Sequence, residues 1–170
     1  MDCQTGPVHE SWKRAMGQAL DLAGQAANQG DVPVGAVVLD AHGQVAGRGC
    51  NRRQAQGRPL AHAEMEAITQ AASAHGPADR TDGDRGWDLS GCTMVVTLEP
   101  CPMCIGAILA CHFDRVVFGA WDPKMGACGS VWDIPRDPHT GPTAEVIGGV
   151  EEGACADLLS HFFKARRQDS

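Results

Sequence analysis

The segments of this chain best equipped for chemistry are His62-Ala63-Glu64 and Pro100-Cys101-Pro102-Met103-Cys104. Two thiolates and one imidazole suit zinc, a borderline-soft ion held tetrahedrally by sulfur and nitrogen. The two-residue gap between Cys101 and Cys104 lets thiolates from one helical turn reach a single ion, and His62 supplies a third ligand from another segment. Three protein ligands leave an open position for water, the pattern of a catalytic site rather than a structural one. The ion brings the pKa of that water towards neutrality. Hydrolytic removal of an amine from a ring also needs a proton delivered to the ring nitrogen and another to the departing amine, and a carboxylate beside the metal can deliver both. Glu64 is placed for that work. Residues two apart in a helix interior point away from one another, so His62 and Glu64 cooperate best in a first turn, with metal and water beyond the helix end. Pro59, a type favoured at the first helical position, predicts that placement. Taken alone, the Cys-x-x-Cys pair also fits a redox dithiol or half of a structural zinc site. A structural site needs a fourth ligand. Cys111 lies about 10 Å along the same helix, too far to share an ion with Cys104, and Cys92 or Cys128 would have to be brought in by the fold.

The elements that must carry these residues follow from hydrophobic periodicity. Residues 9 to 29 place Trp12, Ala15, Met16, Ala19, Leu20, Ala23, Ala26 and Ala27 at helical spacing, with Gly30 as the stop. Val34 to Leu39 is a short apolar run and predicts a buried strand; Asp40-Ala-His-Gly43 is a turn, and Gln44 to Cys50 the return strand of a hairpin. A loop is expected from Asn51 to Arg58, then a helix from Pro59 to about Ala74. Residues 75 to 90, rich in Gly, Asp and Arg, predict a long exposed connection. Thr93 to Thr97 is a strand; the Cys101–Cys104 segment opens a helix ending near His112; Arg115 to Phe118 is a further strand. Residues 119 to 143 predict mostly irregular chain, Glu145 to Ile147 a last short strand, and Glu151 to Arg167 a helix. Alternation of this kind implies a layered α/β domain with helices covering a sheet.

The 170 residues suit one domain, 1–170, and at 43% hydrophobic and 21% charged residues the composition is that of an ordinary globular chain. No run approaches the roughly 20 apolar residues that span a bilayer, and no secretory signal is visible, so the expectation is a cytoplasmic protein without membrane contact. In that setting eight cysteines argue for metal binding or free thiols rather than a disulfide framework. The net charge of −7 speaks against a general nucleic-acid coat. Its distribution is uneven. No acidic residue occurs between Ala41 and Ala63, where Arg48, Arg52, Arg53 and Arg58 fall, and Lys164, Arg166 and Arg167 end the chain. Two readings stay open: a grip on a short piece of nucleic acid, or a solvated loop and a helix C-terminus whose cations suit the macrodipole.

The combination of His-Ala-Glu with Pro-Cys-x-x-Cys resembles the cytidine deaminase superfamily of zinc nucleobase deaminases. Asp31 to Val37, Asn51-Arg52, Ala61 to Glu64, Val96 to Cys101, Met103-Cys104, Val116 to Ala120 and Phe162-Phe163 are similar to its branch of bacterial tRNA-specific adenosine deaminases. The resemblance implies a three-layer α/β/α fold, with a mixed central sheet of about five strands and helices on both faces. It implies one Zn2+ per subunit on His62, Cys101 and Cys104, with Glu64 as proton shuttle. Asn51, Ala63 and Val34 would contact the substrate. Arg52, Arg53, Asp122, Lys124, Phe162, Phe163 and Arg166 would meet RNA, and residues 153–170 would form a C-terminal helix contributing to that binding. The implied partners are a tRNA anticodon stem-loop and a second copy of the chain in a homodimer. The chain departs from the family at Arg58-Pro59-Leu60, at Trp121 where a basic residue is common, and at Thr140-Gly-Pro-Thr143; the departures bear on RNA recognition and not on the metal.

Three functions therefore compete: deamination of adenosine to inosine at the wobble position of a tRNA anticodon, deamination of a free base such as guanine or cytosine, and a zinc-stabilised binding module without catalysis. Trp121 is read either as packing or as a surface on which a base stacks. Of Phe162 and Phe163, one is expected to face the core and the other to reach outward.

Overall fold

The computed structural model describes residues 7–74 and 86–168. Eleven residues of the long connection, 75–85, lie outside that range, as do both chain ends. Among the described residues, five α-helices, α1 Pro7–Asn28, α2 Arg53–Gln56, α3 Ala63–Ala74, α4 Pro102–Ala110 and α5 Glu152–Gln168, are interspersed with strands β1 Gly35–Leu39, β2 Val45–Cys50, β3 Thr93–Leu98, β4 Arg115–Ala120 and β5 Glu145–Ile147. The strands form one sheet in the order β2-β1-β3-β4-β5. β1 runs antiparallel to both β2 and β3, while β3, β4 and β5 run parallel. The sheet is thus mixed and five-stranded, as the resemblance implied.

Side-chain alternation divides the core in two. Ala36, Val38, Met94, Val96, Val116 and Phe118 face one cluster, which α3 and α4 close with Ala63, Ala67, Ile105 and Ile108. Val37, Leu39, Val95 and Val117 face the other, closed by Ala15, Met16 and Ala19 of α1 and Cys155 of α5. Because both faces are covered, the central strands read as continuous apolar runs rather than alternating ones.

The helices lie very close to the sheet where glycine permits it. A Cβ at Gly49 would collide with the Ala63 carbonyl, and one at Gly47 with the Ala67 carbonyl. α3 is therefore seated directly on β2, which fixes where its first residues emerge. The helix begins at Ala63 and not at Pro59. Residues 57–62 form turns instead, pinned by Arg52 N–H to the Ala61 carbonyl at 3.0 Å and His62 N–H to the Leu60 carbonyl at 2.8 Å. The expected loop from Asn51 to Arg58 also holds the one-turn helix α2. Asp31, fully buried, accepts the N–H groups of Gln54 and Ala55 at 2.7 and 3.0 Å and supplies its N-terminal cap from a distant segment. Among the irregular residues 119–143, Ile134–Arg136 form a 3-10 turn. Among the described residues no helix is long and apolar enough to cross a membrane.

Candidate active site

Two helix N-termini meet at the site. His62 immediately precedes α3, so it lies one position before the first turn in which Pro59 was expected to place it, and Glu64 is the helix's second residue. Cys101 is the extended N-cap of α4, with Pro102 at its first position, and Cys104 sits in its first turn. The free N–H groups and positive dipole ends of both helices favour anionic thiolates there.

His62 Nδ1 stands 3.5 Å from Cys104 Sγ and 3.8 Å from Cys101 Sγ. For ligands about 2.0 Å (nitrogen) and 2.3 Å (sulfur) from a tetrahedral zinc, the expected N-to-S separation is about 3.6 Å, so the three atoms fit one ion. Among the described residues these are the only His, Cys, Asp or Glu side chains grouped closely enough to share a metal. Cys92, Cys111 and Cys128 are free and stand outside the group. The fourth ligand that a structural site requires is therefore absent among the described residues.

The electrostatics follow from burial and from these contacts. The Cys101 thiol is pulled down to about 4, first by its hydrogen bond with Cys104 and then by that with His62. Cys104 is pushed up, because Cys101 holds the shared proton on it and because it is buried. His62 is raised, chiefly by its hydrogen bond to Cys101. Burial pushes the Glu64 carboxyl up to about 6, and that carboxyl lies against the Cys104 thiol. A zinc ion would take both thiols as thiolates.

Beside the cluster is a cavity of about 280 Å³, lined by Val34, Asn51, Arg53, His62, Ala63, Glu64, Cys101 and Asp122 among others. It lies near the lower end of ligand-pocket volumes, roughly 300–1,000 Å³, a size for one base rather than a strand. Asn51 is 8% exposed and tightly placed. Its backbone N–H donates to the Val34 carbonyl at 3.0 Å, its Nδ2 to the Val32 carbonyl at 3.1 Å, and its Oδ1 accepts the Arg53 N–H at 3.3 Å. One amide hydrogen and one oxygen lone pair remain for a ligand.

The structure separates the residues the resemblance grouped as RNA contacts. Arg53 and Asp122 border the cavity. Arg52 does not; it is half-buried and its Nε donates to Cys50 Sγ at 3.5 Å. Lys124 is exposed in the same loop as Asp122, whose Oδ1 accepts the Lys124 N–H at 2.9 Å. Phe162 and Phe163 lie outside both core clusters, and the Arg166 guanidinium sits 5.5 Å above the Phe162 ring. The expected inward-facing member of that pair is only half-buried Phe162; Phe163 is exposed. Trp121 packs edge-on against Phe118 at 4.7 Å yet stays 44% exposed, so it is part packing and part surface. Glu99, given no role from sequence, also lines the cavity and is buried. Its position between β3 and Cys101 was the only local signal.

Comparison with known proteins follows the same lines. The family described as the cytidine and deoxycytidylate deaminase zinc-binding region matches residues 9–120. A Bacillus subtilis tRNA-specific adenosine deaminase is 40% identical over 90% of this chain and 89% of its own length. A Deinococcus radiodurans tRNA(Ile)-lysidine synthase is 47% identical over 96% of this chain, which spans only 26% of that larger protein. A solved structure from studies of A-to-I editing by tRNA deaminases at the wobble position superposes with a TM-score of 0.76 at 34% identity, covering 85% of this chain and 98% of that one.

Proposed function

Because the chain belongs to the cytidine and deoxycytidylate deaminase family, in its tRNA-specific adenosine deaminase branch, we propose that it converts adenosine to inosine at the wobble position of a tRNA anticodon by zinc-dependent hydrolysis. The observation that carries this reading is the convergence of His62, Cys101, Glu64 and Asn51 on one base-sized cavity. Asn51 and the first-turn N–H of Ala63 orient a purine flipped out of the anticodon loop, and Val34 packs against the base. His62, Cys101 and Cys104 hold the zinc, which when bound supplies Lewis-acid activation of water. Glu64, whose carboxyl burial pushes up, accepts a proton from the attacking water and delivers it to the ring nitrogen next to C6. It then carries the second proton, released by the oxygen now bonded to C6, to the amine, so that the C6–N bond breaks, ammonia leaves and the carbonyl of inosine remains. Exclusion of solvent around the buried carboxyl strengthens each of these interactions.

A free base would also fit the cavity. The RNA reading is favoured by Arg53 at the cavity rim, where a guanidinium can hold the phosphate flanking a flipped nucleotide. Lys124, Phe162, Phe163 and Arg166 extend the binding surface under this reading, the protein works as a homodimer, and its location is cytoplasmic. The test is Glu64→Ala on zinc-loaded protein with an anticodon stem-loop carrying a wobble adenosine. The variant is expected to keep zinc and stem-loop affinity while inosine formation falls by at least about 1,000-fold. A variant that still deaminates would remove Glu64 from the mechanism.

A further inference from the structure

Glu99 takes no part in the proton transfers above, yet it is 2% exposed and directs both carboxylate oxygens to one loop. Oε1 accepts the N–H groups of Cys128 and Ser130, both at 3.0 Å. Oε2 accepts the Asp122 N–H at 3.0 Å and the Ser130 hydroxyl in a short hydrogen bond. The loop wraps the carboxylate so closely that a Cβ at Gly126 would collide with it. The same loop supplies Asp122 and Met125 to the cavity wall. The end of one buried strand therefore fixes two things: the zinc ligand Cys101, two residues on, and the part of the cavity wall that Asp122 and Met125 form.

We infer that Glu99 is a positioning residue that sets the shape of the base cavity by clamping residues 121–130, and so governs substrate affinity rather than the chemical step. The inference rests on the deaminase reading above. A carboxylate is required because all four partners are donors. In Glu99→Gln one oxygen becomes an NH2 group. If it faces Cys128 and Ser130 it meets two N–H donors. If it faces Asp122, the Ser130 hydroxyl can turn and accept, but the Asp122 N–H is still set against a donor. The less costly arrangement thus loosens the residue that forms the cavity wall.

The experiment compares wild type, Glu99→Gln and Ser130→Ala as zinc-loaded full chains, reading steady-state kinetics on the wobble-adenosine stem-loop, zinc content and amide hydrogen exchange. Glu99→Gln is expected to raise KM about tenfold with kcat within about threefold of wild type, to retain zinc, and to lose protection at the Asp122, Cys128 and Ser130 amides. Ser130→Ala removes one donor without touching the carboxylate and is expected to raise KM less, in the same direction. A fall in kcat at constant KM, or loss of zinc, would place Glu99 in the metal site and overturn the inference. So would an unchanged KM in both variants. A wild-type chain that forms no inosine would instead contradict the functional reading, while hydrogen exchange would still report whether Glu99 holds the loop.

Discussion

At the scale of single residues, the fold sorts its cysteines by environment. Cys101 sits at a helix N-terminus against His62 and is held down to about 4, whereas burial pushes Cys92 and Cys155 up to about 11 and Cys128 to about 12. In zinc-free protein, Cys101 is a thiolate at every pH above its low pKa, so its alkylation by iodoacetamide is expected to vary little between about pH 6 and 8. The other three gain thiolate only as pH rises towards their raised values. Brief labelling and peptide mass spectrometry should find Cys101 modified ahead of Cys92, Cys128 and Cys155, and zinc should protect it. Modification of Cys92 or Cys128 ahead of Cys101 would contradict the site's electrostatics. These ligands were legible in sequence because zinc needs particular atoms at particular spacing. Glu99 was not: its partners lie 23 to 31 residues downstream, and only the fold brings them back.

At the scale of elements, the seat of α3 on β2 decides where His62 and Glu64 stand. Gly49→Ala forces a Cβ into the backbone at Ala63, between the ligand and the proton shuttle. It is expected to destabilise the fold by about 1–3 kcal/mol and to weaken zinc binding, read by urea unfolding and metal content. Gly17→Ala, on the exposed side of α1 with open space around its new methyl, should instead stabilise by about 0.5–1 kcal/mol. The buried strands were legible as apolar runs. The start of α3 was not, because Pro59 carries a helix-start signal that the turns at 57–62 override through backbone bonds among themselves and back to Arg52. Nor was α2, four residues long and without an apolar face, whose cap comes from Asp31 more than twenty residues earlier.

At the scale of the whole molecule, an acidic chain must bind an acidic partner through local charge. Of the basic stretch read from sequence, Arg48 lies in β2 and does not line the cavity, Arg58 is paired with Glu66 at 2.9 Å, and Arg52 is turned to Cys50, which leaves Arg53 at the cavity. Arg53→Ala is expected to weaken stem-loop binding and to reduce the salt slope by about 1, and Arg52→Ala to leave the slope unchanged. Titrations across a salt series check both; equal effects would mean the arginines act as a diffuse patch. Which cation faces the ligand was not legible in sequence, because all four arginines look alike until their partners are placed. The most direct measurement is a substrate panel on the zinc-loaded protein: a stem-loop with wobble adenosine, the same loop with adenosine elsewhere, and free adenosine, guanine and cytosine. Inosine formed in the wobble loop alone is the predicted result. Ammonia released from a free base, with the stem-loop untouched, would contradict it and assign the same site to base salvage chemistry.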